Sequence, residues 1–181
     1  MESDTGWITY RNDLCKPVET DLLGYPVQNK ERLISAIISN ALLNEAVPFQ
    51  ELKKIKVDTS LETMGDFILD FLIFDNFALK GHYTAKEIDN FRQLYGGNDI
   101  LHCFSKKCIK LQDFILWGSD EIRLKKWNQR NTELLADRFE MLIAVIYLEN
   151  GIDAVKNFLK KHNFFEEIDT IKTNKECGFL K

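Results

Sequence analysis

Residues 132–149, TELLADRFEMLIAVIYLE, constrain the fold more than any other stretch of the 181-residue chain. Leu134, Leu135, Phe139, Met141, Leu142, Ile143, Val145, Ile146 and Leu148 fall on nearly every side of a helix, and a helix that is apolar all round belongs inside a protein. Two carboxylates interrupt it. Asp137 and Glu140 are three residues apart and therefore share one face. A buried, uncompensated carboxylate is strongly unfavourable, so the pair calls for a cation or a basic partner, and Arg138 points elsewhere.

Other helices follow from periodicity. Leu33, Ile34, Ile37, Ile38, Ala41 and Leu42 form one stripe over 29–46, closed by Pro48. A helix starting at Asp58-Thr59-Ser60 carries Leu61, Met64, Phe67, Ile68, Phe71 and Leu72 to about residue 79. A short one over 87–95 stops at Gly96-Gly97, after which Asn98 caps another with Ile100, Leu101, Phe104 and Cys108 on one side. Gly118-Ser119-Asp120 is a turn, and Asn150-Gly151 ends the apolar helix before a last one reaches residue 162. The tail, 163–181, lacks strong periodicity, and no set of alternating strands is present. The fold expected is all-α in a single domain.

Composition excludes more than it selects. No stretch of eighteen apolar residues and no leader-like N-terminus is seen, so a soluble, unexported protein is expected. Cys15, Cys103, Cys108 and Cys177 show no Cys-x-x-Cys pairing and read as free thiols. His82, His102 and His162 are scattered; His102 with Cys103 and Cys108 lacks a fourth zinc ligand and reads as packing. Walker, Gly-x-Gly-x-x-Gly, His-Glu-x-x-His and Gly-x-Ser-x-Gly motifs are all missing. The net charge of −4 sits awkwardly with polyanion binding, although lysines and arginines gather at 53–56, 106–110, 123–130 and 156–161. These are solvated helix faces or phosphate contacts.

Carboxylates remain as the candidate chemistry. Glu62 and Asp66 are four apart, with Gly65 between them where glycine costs about 1 kcal/mol relative to alanine in a helix interior. That glycine suits close approach of a second helix. Were the two helices to cross at Gly65 and Ala136, four acids would converge with hard oxygen donors suited to Mg²⁺ or Mn²⁺. Such ions activate water and stabilise both oxygens at a phosphodiester without a side-chain nucleophile. The competing account makes Glu62 the partner of Thr59 in a capping box and leaves Asp66 exposed.

At these residues the sequence resembles the ribonuclease III family. Leu61-Glu62-Thr63-Met64-Gly65-Asp66 is similar to the signature Leu-Glu-x-Leu-Gly-Asp, and Leu135-Ala136-Asp137-Arg138-Phe139-Glu140 resembles the second signature, Leu-Ala-Asp-x-x-Glu-Ala. Ile146 to Gly151 resembles Ile-Tyr-Leu-Asp-Gly-Gly, while Lys86-Glu87-Ile88, Phe91-Arg92 and Asn98-Asp99 resemble lesser motifs between the two. The resemblance implies an endonuclease-domain helical fold over 29–162, with 1–28 an N-terminal extension and 163–181 a C-terminal tail. It implies that Glu62, Asp66, Asp137 and Glu140 are the catalytic and Mg²⁺-binding acids, with Mn²⁺ able to substitute, and that Glu87 is auxiliary. It further implies an intracellular homodimer, in nucleus or cytoplasm, that cuts double-stranded RNA to 5′-phosphate products with two-nucleotide 3′ overhangs. RNA processing or Dicer-like silencing would be its setting.

Three departures stand against the pattern. Thr63 replaces a bulky residue that packs into the partner subunit, and Thr59-Ser60 removes a supporting acid. The tail is too short for a double-stranded-RNA-binding domain, so binding should be weak and salt-sensitive unless an RNA-binding partner protein assists. The alternatives are a catalytically inactive scaffold or ribosomal protein of the same fold, and an all-α nucleotide pyrophosphatase.

Overall fold

The structure, a computed structural model, describes residues 2–45, 50–78, 80–129 and 133–174. Pro48, Leu79, Arg130, Thr132 and Cys177, which carry parts of the sequence reading, lie outside them. Among the described residues there is no strand, only an isolated bridge between Ile38 and Leu116, and the architecture is all-α as expected.

α1, Glu2–Pro17, runs on through a π-helical turn, Val18–Leu23, and Gly24 stops it at φ 88°. α2 spans Lys30–Ile37, its N-terminus capped by the Asn29 side chain accepting from Arg32 N. The single helix expected over 29–46 is broken here. Ile38 and Ser39 are extended because Ser39 N donates to Leu116 O (3.0 Å) and Leu116 N to Ile37 O (2.7 Å). Ser39 then caps α3, Asn40–Leu43, so tertiary pairing plus a capping serine outweighs the local period.

α4, Thr59–Ala78, starts after Asp58, whose Oδ1 accepts from Ser60 N at 3.0 Å. α5, Ala85–Gly96, begins earlier than predicted because Thr84 and Glu87 form a reciprocal capping box. α6, Asn98–Lys107, follows at once. α7, Ser119–Leu124, occupies the predicted turn, its start held by the Glu121 carboxylate accepting from Gly118 N at 3.0 Å.

α8, Leu134–Lys161, is two helical halves joined at Gly151, which adopts φ 76° and ψ −174° where the sequence predicts a stop. α9, Phe164–Thr173, lies in the tail that read as aperiodic. Its buried positions, Phe164, Ile168 and Ile171, span barely two turns, too few to stand out as a period.

The first half of α8 is the centre of the molecule. Leu135, Ala136, Phe139 and the run Leu142–Ile146 are sealed from solvent, with α4, α6 and α2 packed round them. Phe139 meets Phe104 edge-on with ring centroids 5.5 Å apart and stacks on Phe164 at 6.0 Å, tying α6, α8 and α9 together. Residues before 29 join the same core through Val18, Leu22 and Leu23. Glu149 fastens that segment by accepting from Gln28 N (2.7 Å) and Asn29 N (3.2 Å). Cys15 and Cys108 carry no disulfide, but Cys103, expected as a free thiol, is disulfide-bonded, since spacing does not reveal which sulfurs meet in space. Among the described residues no helix is long and apolar enough to cross a membrane.

Candidate active site

α4 and α8 cross where no side chain separates them. A Cβ built on Gly65 would stand 1.9 Å from the carbonyl oxygen of Glu140 and 2.8 Å from its Cα, so glycine is what lets the two backbones meet. The contact expected at Ala136 therefore falls one turn later on α8, at Glu140. Glu62 and Asp66 flank the crossing on one helix, and Asp137 and Glu140 on the other.

One oxygen each of Glu62, Asp137 and Glu140 lies within 4.8 Å of the others. Asp66 falls outside that trio but lines the same cleft, of about 490 Å³, and is the nearest charge in effect on Glu140. The capping alternative for Glu62 does not hold: Thr59 is already helical, Asp58 makes the cap, and Glu62 is left facing the cleft.

The electrostatics are those of crowded like charges with little compensation. Burial pushes the Glu140 carboxyl up to about 8, with Asp66, Asp137, Glu62 and Asp70 acting in the same direction. Burial, then Glu62, raises Asp137 to about 6. Arg138 is buried next to them, yet its guanidinium turns away to the carbonyls of Ser35 (3.3 Å) and Ala36 (3.5 Å) at the end of α2. It spreads a positive charge beneath the site without binding the acids. Carboxylate oxygens alone, converging and mutually repelling, fit a hard divalent cation, and neither cysteine nor histidine is among them.

Sequence reasoning missed the far wall. Asp70, one turn beyond Asp66, continues the ladder Glu62, Asp66, Asp70 along α4 and could have been found by extending the four-residue spacing. Arg92 of α5 reaches it, Nε to Oδ2 at 2.5 Å, and approaches Asp66 with Nη2 at 4.0 Å. Burial is the chief cause raising the Asp70 carboxyl. Glu87 is not brought into the cluster. It is exposed, and its Oε2 accepts from Thr84 N (2.7 Å) and Thr84 Oγ1 (2.8 Å), which holds the carboxyl below its usual range. His102 is a packing residue as read, buried with Nε2 at 3.0 Å from Trp127 O.

The opposite face of α4 is apolar and open. Met64, Phe67, Ile68 and Phe71, with Tyr147 and Ile152 of α8, line a depression of about 780 Å³, and Phe67 is 66% exposed.

An all-helical domain that crosses two helices on a glycine and pools their acids in one cleft defines a class of carboxylate-site proteins. The chain belongs to the ribonuclease III domain family, whose model matches residues 59–151 and so spans both signature helices. Ribonuclease 3 of Protochlamydia amoebophila is 30% identical over 151 residues, covering 82% of this chain and 58% of that protein. Ribonuclease 3 of Clostridium perfringens is 30% identical over 152 residues, covering 82% and 59%. The chain thus spans less than two thirds of the length of these relatives. The nuclease domain of ribonuclease III from Campylobacter jejuni superposes with a TM-score of 0.62 at 21% identity, covering 84% of this chain and 99% of that one, which establishes the shared fold.

Proposed function

We propose that the chain is a Mg²⁺-dependent endoribonuclease for double-stranded RNA, with residues 29–162 as the catalytic unit. The observation that carries the reading is the meeting of acids from α4 and α8 at the Gly65 crossing. Glu62, Asp66, Asp137 and Glu140 would hold the metal, and Mn²⁺ would satisfy the same donors. A divalent ion bound there supplies activation of water and neutralisation of charge at the phosphodiester. The chain does the positioning: Gly65 sets the helix spacing, Arg138 secures α8 to α2, and α5 walls the cleft.

The apolar depression on α4 supports a homodimer. Phe67, Phe71 and Phe74 are each at least 44% exposed, and contiguous exposed apolar surface of this kind marks an interaction site. Thr63 offers no bulk to a partner, and Phe67, the next residue along that face, would take over as the anchor. Two such chains would place two acid clefts along one duplex and release products with 5′ phosphates and two-nucleotide 3′ overhangs, inside the cell, in RNA processing or silencing. Glu87 would reach the site only after leaving its cap with Thr84, so we assign it no role in the first encounter.

Asp137→Asn and Glu140→Gln test the reading. Each should abolish Mg²⁺-dependent cleavage of a perfect RNA duplex while the melting curve in chelator stays cooperative. Full activity in either variant counts decisively against it.

A further inference from the structure

We propose that Arg92 is the cleft's phosphate contact, held in readiness by Asp70; the inference rests on the duplex-RNA nuclease reading. Six carboxylates line the cleft, Glu62, Asp66, Asp70, Asp89, Asp137 and Glu140, and Arg92 is the one cation among its described lining residues. A polyanion entering such a place is repelled by more charge than one or two divalent ions cancel. The residue that supplies the balance must be cationic, exposed and fixed in place.

Arg92 meets each condition. Its side chain is 56% exposed, so the guanidinium is open to a ligand. Asp70 holds it by one edge only, at Nε, and the 4.0 Å between Nη2 and Asp66 is longer than a hydrogen bond. The remaining donors form the planar fork that matches a phosphate's oxygens, which a lysine would meet only as a point charge. Asp70 is itself mostly shielded, its side chain only 21% exposed on the α4 face of the cleft. Anchoring one end of a long side chain beforehand reduces the ordering that binding would otherwise require. Asp66 is the shared neighbour of the two halves of the site, 4.0 Å from Arg92 and the strongest charge acting on Glu140. A phosphate gripped by Arg92 is thereby set beside the acid cluster rather than merely near the protein.

The test uses the whole chain, with cleavage of a perfect RNA duplex followed across a salt series and Mn²⁺ affinity measured by titration. Arg92→Gln should raise KM or slow cleavage by about 10- to 100-fold, the scale of one charge-assisted hydrogen bond. It should also flatten the dependence of log KM on log salt by about one unit, as loss of a single phosphate contact does. Mn²⁺ should bind as tightly or more tightly, because a positive charge has left the cleft. Arg92→Lys should fall between the two, and Asp70→Asn should raise KM with Arg92 still present. Weakened Mn²⁺ binding in Arg92→Gln would make the arginine a mere prop for the acids and overturn the proposal, as would wild-type cleavage with an unchanged salt slope. A wild-type chain that cuts no RNA in any divalent metal would sink the nuclease reading and this inference with it; a cutting wild type with an unimpaired Arg92→Gln would sink this inference alone.

Discussion

Gly65→Ala isolates the geometry on which the site depends. The new methyl group would sit 1.9 Å from Glu140 O, 2.4 Å from Glu140 C and 2.8 Å from Glu140 Cα, all backbone atoms inside a helix that cannot yield singly. Reaching ordinary contact requires α4 and α8 to part by roughly 1.5 Å, and a gap of that size forfeits a quarter to a half or more of each dispersion contact across the interface. Overpacking of this kind costs about 1–3 kcal/mol and more where backbone is struck, against which alanine's better helix propensity returns about 1 kcal/mol. A net loss of about 2 kcal/mol, the upper end of that difference because backbone is struck, should lower Tm by roughly 4–8 °C in a chain of this size. The same separation pulls Glu62 and Asp66 off Asp137 and Glu140, and a misplacement near 1 Å typically reduces turnover about 100-fold. Thermal melts by circular dichroism in chelator, paired with Mn²⁺ titration, measure both effects. A variant that melts no lower than wild type and binds Mn²⁺ equally well would show that the helices do not touch at this position.

Two further outcomes follow from the site and its surroundings. Glu140 and Asp137 have folded-state values raised to about 8 and about 6 above ordinary values of 4.5 and 3.8, so the stability linked to their protonated forms is complete below about pH 4 and drains away as pH rises through 6 to 8. Melting in chelator should fall across that window by an amount worth a few kcal/mol, and Mn²⁺ should restore it at pH 8; a Tm that climbs with pH in chelator contradicts the assignment. Phe67→Arg, which plants a charge in the apolar depression, should shift the chain to monomer by light scattering with the helical circular dichroism spectrum unchanged, because Phe67 is 66% exposed; an unchanged dimer would place the interface elsewhere.

The core, Asp137 and Glu140 were readable because apolar residues that surround a helix bury it and carboxylates on such a helix need compensation, whereas Glu62 and Asp66 were read from their spacing about Gly65 and from the family resemblance. Leu135 to Ile146 satisfied that burial rule without help from any other segment. What escaped depends on contacts between segments far apart in the chain. The break after Ile37 is written in its pairing with Leu116, nearly eighty residues away, and α9 is held by Phe104 and Phe139 rather than by its own short stripe. Glu87 shows the converse. The motif resemblance points to the site, yet the local capping box with Thr84 decides where its carboxylate lies. Arg92 was read only as part of a lesser motif and Asp70 was not singled out, because their 2.5 Å contact joins two different helices.

Thr63 lines both the acid cleft and the apolar depression, so α4 is a partition one helix thick with water-loving chemistry on one side and grease on the other. A compound lodged among Phe67, Phe71 and Tyr147 would press on the wall that carries Glu62 and Asp66 without ever competing with a polyanion. The uncharged side is the one that would accommodate an apolar ligand, since no carboxylate is among its lining residues.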